Sequence, residues 1–289
     1  MKPCKLPPFL KRGSRIALIA TARSVQPDEI SAAIATLESA GFEVVQGKNL
    51  HAVHHPFAGN DEERASDLQW ALDNERIDAI ICARGGFGTL RLVDQLDFTR
   101  FLKKPKWLVG YSDITVLHSV INSKGICTLH GTMPINFEKH EPSTQQLLDY
   151  LTGTFSPVEW ESNSNTNFSS EGILCGGNLS LIYALQGSGD LFIPENGIVF
   201  LEDLDEYYYH IDRMVLSLKR SAYFKNAKAI LLGGFDGMKD HATPFGQNEE
   251  EILNYHLNEK IPVITSFPAG HGLINMPLVM GAKYRLDVK

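Results

Sequence analysis

Four short segments carry the residues whose types and setting suit chemistry. The first is Gly110-Tyr111-Ser112-Asp113, at the end of an apolar run and at the start of a helical stretch. A serine at such a turn exposes its hydroxyl, and the helix start behind it offers unpaired N–H groups to an oxyanion. That is the mechanics of a nucleophile elbow, although the G-x-S-x-G form is absent. The alternative is that Ser112 merely caps a helix beginning at Asp113. The second segment is Arg84-Gly85-Gly86-Phe87-Gly88, between a strand and a helical stretch at 89–96. Its glycines would let backbone N–H groups approach an anion. Neither dinucleotide nor P-loop spacing is present, so a structural turn or an oxyanion donor beside Ser112 competes with a phosphate cradle.

The third segment, Phe200-Leu201-Glu202-Asp203, puts two acids at the end of an apolar strand, with Glu206, Tyr209, Asp212 and Arg213 following. Carboxylates at a sheet's carboxyl edge lie where ligands bind; a solvated strand end with a surface ion pair is the other reading. The fourth, Pro268-Ala269-Gly270-His271-Gly272, leaves a histidine sterically open after the run at 262–267. A single histidine there also suits a surface or capping role. Together they supply serine, acid and histidine in the order Ser112, Glu202, His271, separated by 90 and 69 residues. Triad chemistry needs these groups to meet in space, not in sequence. The remaining histidines, including His54-His55 and His241, lack partners at metal-ligand spacing, so no metal site is expected.

Something must bring these segments together. Runs at 15–22, 42–46, 77–83 and 107–110 read as strands; 27–40 and the stretch from Asn60 read as helices, the first opened by Pro27-Asp28-Glu29 and stopped at Gly41. Alternating strand and helix implies right-handed crossovers and a parallel sheet. The pattern breaks in the polar stretch 161–170, then apolar runs resume at 198–201, 229–232 and 262–267. The expectation is a two-lobed α/β protein. Residues 1–150 form a parallel-sheet domain with an elbow-like turn, 151–170 a linker, and 171–289 a second α/β or β-rich domain. A cleft between lobes is a common ligand site.

Composition excludes several classes. Of 289 residues, 43% are hydrophobic and 21% charged, which rules out disorder, collagen and a membrane bundle. The formal net charge of −7 argues against nucleic acid or an anionic membrane as partner. Cys4, Cys82, Cys127 and Cys175 form no C-x-x-C pair, and the last three sit in apolar surroundings, as reduced thiols do. The run 16–20 after Lys2, Lys5, Lys11 and Arg12 is too short for a signal-peptide core. A cytoplasmic protein is expected.

Five segments, ARGGFGTLRLVDQLDF (83–98), KWLVGYSDITVLH (106–118), GILCGGNLSLIYALQG (172–187), GIVFLEDLDEYYYHIDRM (197–214) and the stretch 262–287, resemble the serine LD-carboxypeptidases, also called muramoyltetrapeptide carboxypeptidases. The resemblance spans nearly the whole chain in the family's order. It implies a two-domain serine peptidase, usually a homodimer, with no cofactor. Ser112 falls on the family's nucleophile, Glu202 on its acid and His271 on its base, while backbone N–H groups of Gly86 and Asp113 fall on its oxyanion hole. The implied reaction releases terminal D-alanine from a murein tetrapeptide, with Arg84 a candidate for the substrate's carboxylate. Phe87 stands where many relatives carry Tyr, and Tyr207-Tyr208-Tyr209 is unusually aromatic. Two other readings are a related self-immunity peptidase that cleaves peptidyl or aminoacyl nucleotides, with aromatic groups sandwiching a base, and a non-catalytic muropeptide-binding protein.

Overall fold

The apolar runs of the first half lie side by side. In the computed structural model, which describes residues 2–156, 158–161, 168–257 and 261–288, β1 (Arg15–Ile19), β2 (Glu43–Gln46), β3 (Ala79–Cys82), β4 (Trp107–Gly110) and β5 (Thr128–His130) pair in parallel, in the order β5-β4-β3-β1-β2. Every residue of β3 and β4 is buried, as a sheet covered on both faces requires. Helices α1 (Pro27–Ser39), α2 (Asp61–Asp73), α3 (Thr99–Lys103), α4 (Thr115–Ser123) and α5 (Glu141–Thr152) accompany it. The expected start signals act as read. Pro27 opens α1, with Glu29 accepting from the Gln26 N–H at 2.7 Å. Asn60 and Glu63 cap α2 reciprocally, each bond 2.8 Å.

Two local expectations change. The stretch at 89–96 is a 3-10 segment, Thr89–Gln95, because it starts from Gly88 at φ 122° and its first N–H is taken by the Asp113 carboxylate. Likewise the chain after β4 makes one 3-10 turn, Ser112–Ile114, before α4 begins at Thr115.

The second half builds another sheet. β6 (Phe168–Asn178), β7 (Gly197–Leu204), β8 (Ala227–Asp236) and β9 (Val263–Ile264) run parallel, with β11 (Lys283–Val288) antiparallel against β6. Helices α6 (Leu179–Ala184), α7 (Tyr208–Arg220) and α8 (Glu249–Leu257) pack on it. β7 continues two residues past Glu202, so both acids lie within a strand and not beyond one. β9 is only two residues long, where 262–267 was expected.

One strand departs from the simple two-lobe division. β10 (Leu278–Met280) pairs antiparallel with β5 of the first sheet, although it falls in the span 171–289. Leu278 and Met280 pack in one apolar cluster with Leu174, Phe200 and Leu231 of the second sheet. That shared core is why the chain crosses back. The expected linker is shorter than 151–170, since α5 reaches Thr152 and β6 starts at Phe168; its residues 157 and 162–167 lie outside the described residues. Among the described residues, no helix is long and apolar enough to cross a membrane.

At Gly176 the backbone stands at φ 103°, and a Cβ there would lie 2.0 Å from the Phe200 carbonyl oxygen of the neighbouring strand. No rotamer relieves a clash with backbone, so Gly176→Ala is expected to lower the melting temperature by roughly 6 °C or more. A calorimetric melt within 2 °C (roughly 0.5–1 kcal/mol) of the wild type would contradict that packing.

Candidate active site

Ser112 leaves β4 at φ 61°, a conformation that residues other than glycine rarely adopt. Such strain costs roughly 1–3 kcal/mol and persists only where surroundings enforce it. They do so here: a Cβ at Gly85 would lie 3.1 Å from the Ser112 Cβ, and one at Gly110 would lie 2.7 Å from Ile114 Cγ1. The tight turn aims Oγ away from its own helix. Tyr111, not Ser112, occupies the cap position, and no side-chain cap bond forms. Instead Ser112 Oγ lies 3.0 Å from His271 Nε2. The capping alternative for Ser112 is thereby set aside.

His271 Nδ1 lies 2.5 Å from Glu202 Oε2. Glu202 is fully buried, and its Oε1 has no hydrogen-bond partner among the described residues. A carboxylate there needs a strong partner, and the imidazole supplies it. Burial pulls His271 down, but the charge and hydrogen bond of Glu202, joined by Asp203 and Asp236, outweigh it, and the net shift is upward from the ordinary 6.5. With Nδ1–H donated to Glu202, the neutral ring presents Nε2 as acceptor to the Ser112 hydroxyl. The His271 loop is fixed from behind. Asn275 accepts from the Gly270 N–H at 3.0 Å and donates its own N–H to Ser143 Oγ of α5 at 2.9 Å.

The glycine loop lies beside this array. Gly86 lines the same cleft as Ser112 and His271, and the backbone N–H groups of Gly86 and Asp113 donate to no other described residue. The side chain of Asp113 sets their relation: buried, it accepts from the Thr89 N–H at 2.8 Å, tying the loop's far end to the turn at Ser112. Burial raises its pKa, opposed by the bonds to Thr89 and the charge of Arg64. Arg64, almost wholly buried, donates from Nη1 to Thr21 O at 2.6 Å and Gly88 O at 3.0 Å, so it fixes the loop carbonyl from below.

A second chain of bonds joins the lobes. The Asn178 N–H, at the end of β6, donates to Thr115 Oγ1 of α4 at 3.0 Å. Asn178 Nδ2 donates to Asp203 Oδ1 at 2.9 Å, and Asp203 also accepts from the N–H groups of Ser180 at 3.0 Å and Leu204 at 2.8 Å. The helix that follows Ser112 and the strand that carries Glu202 are thus bound through buried polar groups. Burial, then the neighbouring Glu202 charge, push Asp203 up to about 7 against these bonds.

The cleft over Ser112 measures about 220 Å³ and is lined also by Arg23, Arg84, Tyr111, Met133 and Leu204. Several expected neighbours do not line it. Phe87 packs edge-on against Phe57 at 5.6 Å. Tyr207 and Tyr209 stack on His241 at 4.8 and 5.2 Å. Asp212 meets His256 at 2.6 Å, joining α7 to α8, while Arg213 lies over Tyr209. Among the described residues, no group of three or more His, Cys, Asp or Glu gathers as for a metal. Arg64, Thr115, Asn178 and Arg23 were not singled out from sequence. No motif marks them, since their role lies in partners far along the chain.

Fold and geometry define a serine-type hydrolase on a two-sheet α/β scaffold. The profile for the LD-carboxypeptidase N-terminal domain matches residues 16–131, and that for the C-terminal domain matches 171–286. The probable murein peptide carboxypeptidase of Bacillus subtilis is 32% identical over 97% of this chain and 91% of its own length. The structure of muramoyltetrapeptide carboxypeptidase from Oxalobacter formigenes superposes with a TM-score of 0.86 at 32% identity, covering 96% of each chain. The microcin C7 self-immunity protein MccF of Escherichia coli is 29% identical over 87% of this chain and 83% of its own length. The chain belongs to the LD-carboxypeptidase family and is a serine carboxypeptidase.

Because His271 must be neutral to accept a proton, activity is expected to fall as pH drops through its raised pKa, with a midpoint above 6.5 in kcat/KM. Glu202→Gln removes the charge that opposes burial. It should move that midpoint to lower pH and cut kcat by about 10³–10⁴-fold, the cost known for mis-orienting a triad histidine. A pH–rate profile with an unmoved midpoint would contradict the assignment.

Proposed function

We propose that the chain hydrolyses the bond between an L-centre and a terminal D-alanine in a murein tetrapeptide, L-Ala-γ-D-Glu-(meso-diaminopimelate or Lys)-D-Ala. The observation that carries this is the continuous chain Ser112 Oγ, His271 Nε2, His271 Nδ1, Glu202 Oε2, with links of 3.0 and 2.5 Å, in a chain related to murein peptide carboxypeptidases.

Ser112 Oγ attacks the carbonyl carbon of the third residue while His271 Nε2 takes the hydroxyl proton. Glu202 holds the ring by its Nδ1–H and stabilises the imidazolium. The oxyanion of the tetrahedral adduct accepts from the N–H groups of Gly86 and Asp113, which need no reorganisation as charge develops. The C–N bond then breaks, His271 returns the proton to the leaving amine, and D-alanine departs. Water, deprotonated by the same His271, attacks the acyl-enzyme and releases the tripeptide. The reaction belongs to peptidoglycan recycling, which we place in the cytoplasm and assign to a homodimer on the family resemblance.

The peptidyl-nucleotide reading needs rings that sandwich a base. The ring stacks of Tyr207 and Tyr209 on His241, and of Phe87 against Phe57, engage these groups elsewhere, so no observation favours that substrate. A purely binding role leaves the Ser112–His271–Glu202 alignment without a purpose.

Mass spectrometry of the protein incubated with murein tetrapeptide is expected to give tripeptide and free D-alanine. The diastereomer ending in L-alanine should be cut at least about 100-fold more slowly. Equal rates on both would contradict the LD assignment. An intact tetrapeptide, with hydrolysis of an aminoacyl sulfamoyl nucleoside's phosphoramidate counterpart, would move the reading to the nucleotide branch.

A further inference from the structure

A carboxypeptidase differs from an endopeptidase in what it does with the substrate's terminal carboxylate. In D-alanine that group is attached to the carbon next to the scissile nitrogen. Its cation must therefore stand close to the oxyanion donors. Two arginines line the cleft, Arg23 and Arg84. Arg84 is engaged: Nη1 donates to Ser24 O at 3.1 Å and lies 3.4 Å from Glu29 Oε1. Arg23 is exposed and makes no ion pair among the described residues.

Its placement is more telling than its freedom. The Arg23 stem lies directly across Gly86: a Cβ there would meet Arg23 Cγ at 2.6 Å and Cδ at 2.5 Å. Gly86 stands at φ 118°, a backbone conformation that suits glycine. The head group lies over the Phe87 ring, 5.9 Å from its centroid. Glu202 and Asp203 are buried and do not line the cleft. Beside His271, the two arginines are the charged side chains that line it among the described residues.

We propose that Arg23, rather than Arg84, receives the terminal carboxylate of the substrate and so restricts the enzyme to carboxy-terminal cleavage. The assignment rests on the LD-carboxypeptidase reading above. A guanidinium offers two parallel donors to a carboxylate, and the exposed head can swing from Phe87 without breaking any ion pair. Arg23 here determines specificity; it takes no part in proton transfer.

The experiment compares kcat/KM on murein tetrapeptide and on its C-terminal amide for wild type, Arg23→Met, Arg23→Lys and Arg84→Met. Wild type is expected to prefer the free acid by about 10–100-fold, the range for one charge-assisted contact. Arg23→Met should lose that preference mainly through KM, with the amide's rate nearly unchanged, and Arg23→Lys should recover part of it. Loss of the preference in Arg84→Met but not in Arg23→Met overturns the proposal, as does a preference that survives Arg23→Met. Absence of turnover of the tetrapeptide by wild type overturns the LD reading itself, and the assignment falls with it.

Discussion

The hydrogen bond between the buried Glu202 carboxylate and His271 is the constraint on which the site depends. A carboxylate with no solvent exposure, and with one oxygen lacking a hydrogen-bond partner among the described residues, is tolerable only beside a group that can become positive. That group is the imidazole, and the same contact fixes its tautomer and aims Nε2 at Ser112. The cost of desolvating Glu202 is thus linked to the strength of the base. Asp203, one residue on, is pushed up to about 7 by burial and by the Glu202 charge. Removing either partner would leave a buried group uncompensated, which usually costs several kcal/mol.

Ser112 comes from one sheet and His271 and Glu202 from the other, so the proposed triad depends on how rigidly the lobes are joined. Three features hold them. β10 pairs with β5 while its side chains enter the second lobe's core. Asn178 joins Thr115, three residues beyond Ser112, to Asp203, one residue beyond Glu202. Asn275 ties the histidine loop to α5 through Ser143. Each contact is buried, where water does not compete. An error of about 1 Å in such geometry is enough to cost orders of magnitude in rate.

The parts legible in the sequence were those with local signatures. Ser112, Glu202 and His271 follow apolar runs, and strand ends are where a parallel sheet presents its reactive groups; the order of elements followed from the same periodicity. The helix starts at Pro27 and Asn60 were readable because capping is a short-range interaction. Other features depend on partners far along the chain. The 3-10 form of residues 89–95 follows from an acceptor twenty-four residues away at Asp113. The crossing of β10 follows from a core assembled from both halves. Arg84 was a candidate for the substrate's carboxylate, and its contact with Glu29, fifty-five residues upstream, carries no local signature. The aromatic run at 207–209 suggested a binding surface, but His241 turned two of its rings towards itself.

The central claim is that a serine of one lobe is activated by a histidine of the other. Covalent labelling by a fluorophosphonate, followed by peptide mapping, tests it most directly. The geometry predicts a single adduct on Ser112 in the wild type, none in Ser112→Ala, and labelling slowed by at least about 100-fold in His271→Ala. An adduct on another serine, or a labelling rate indifferent to His271→Ala, would contradict the account.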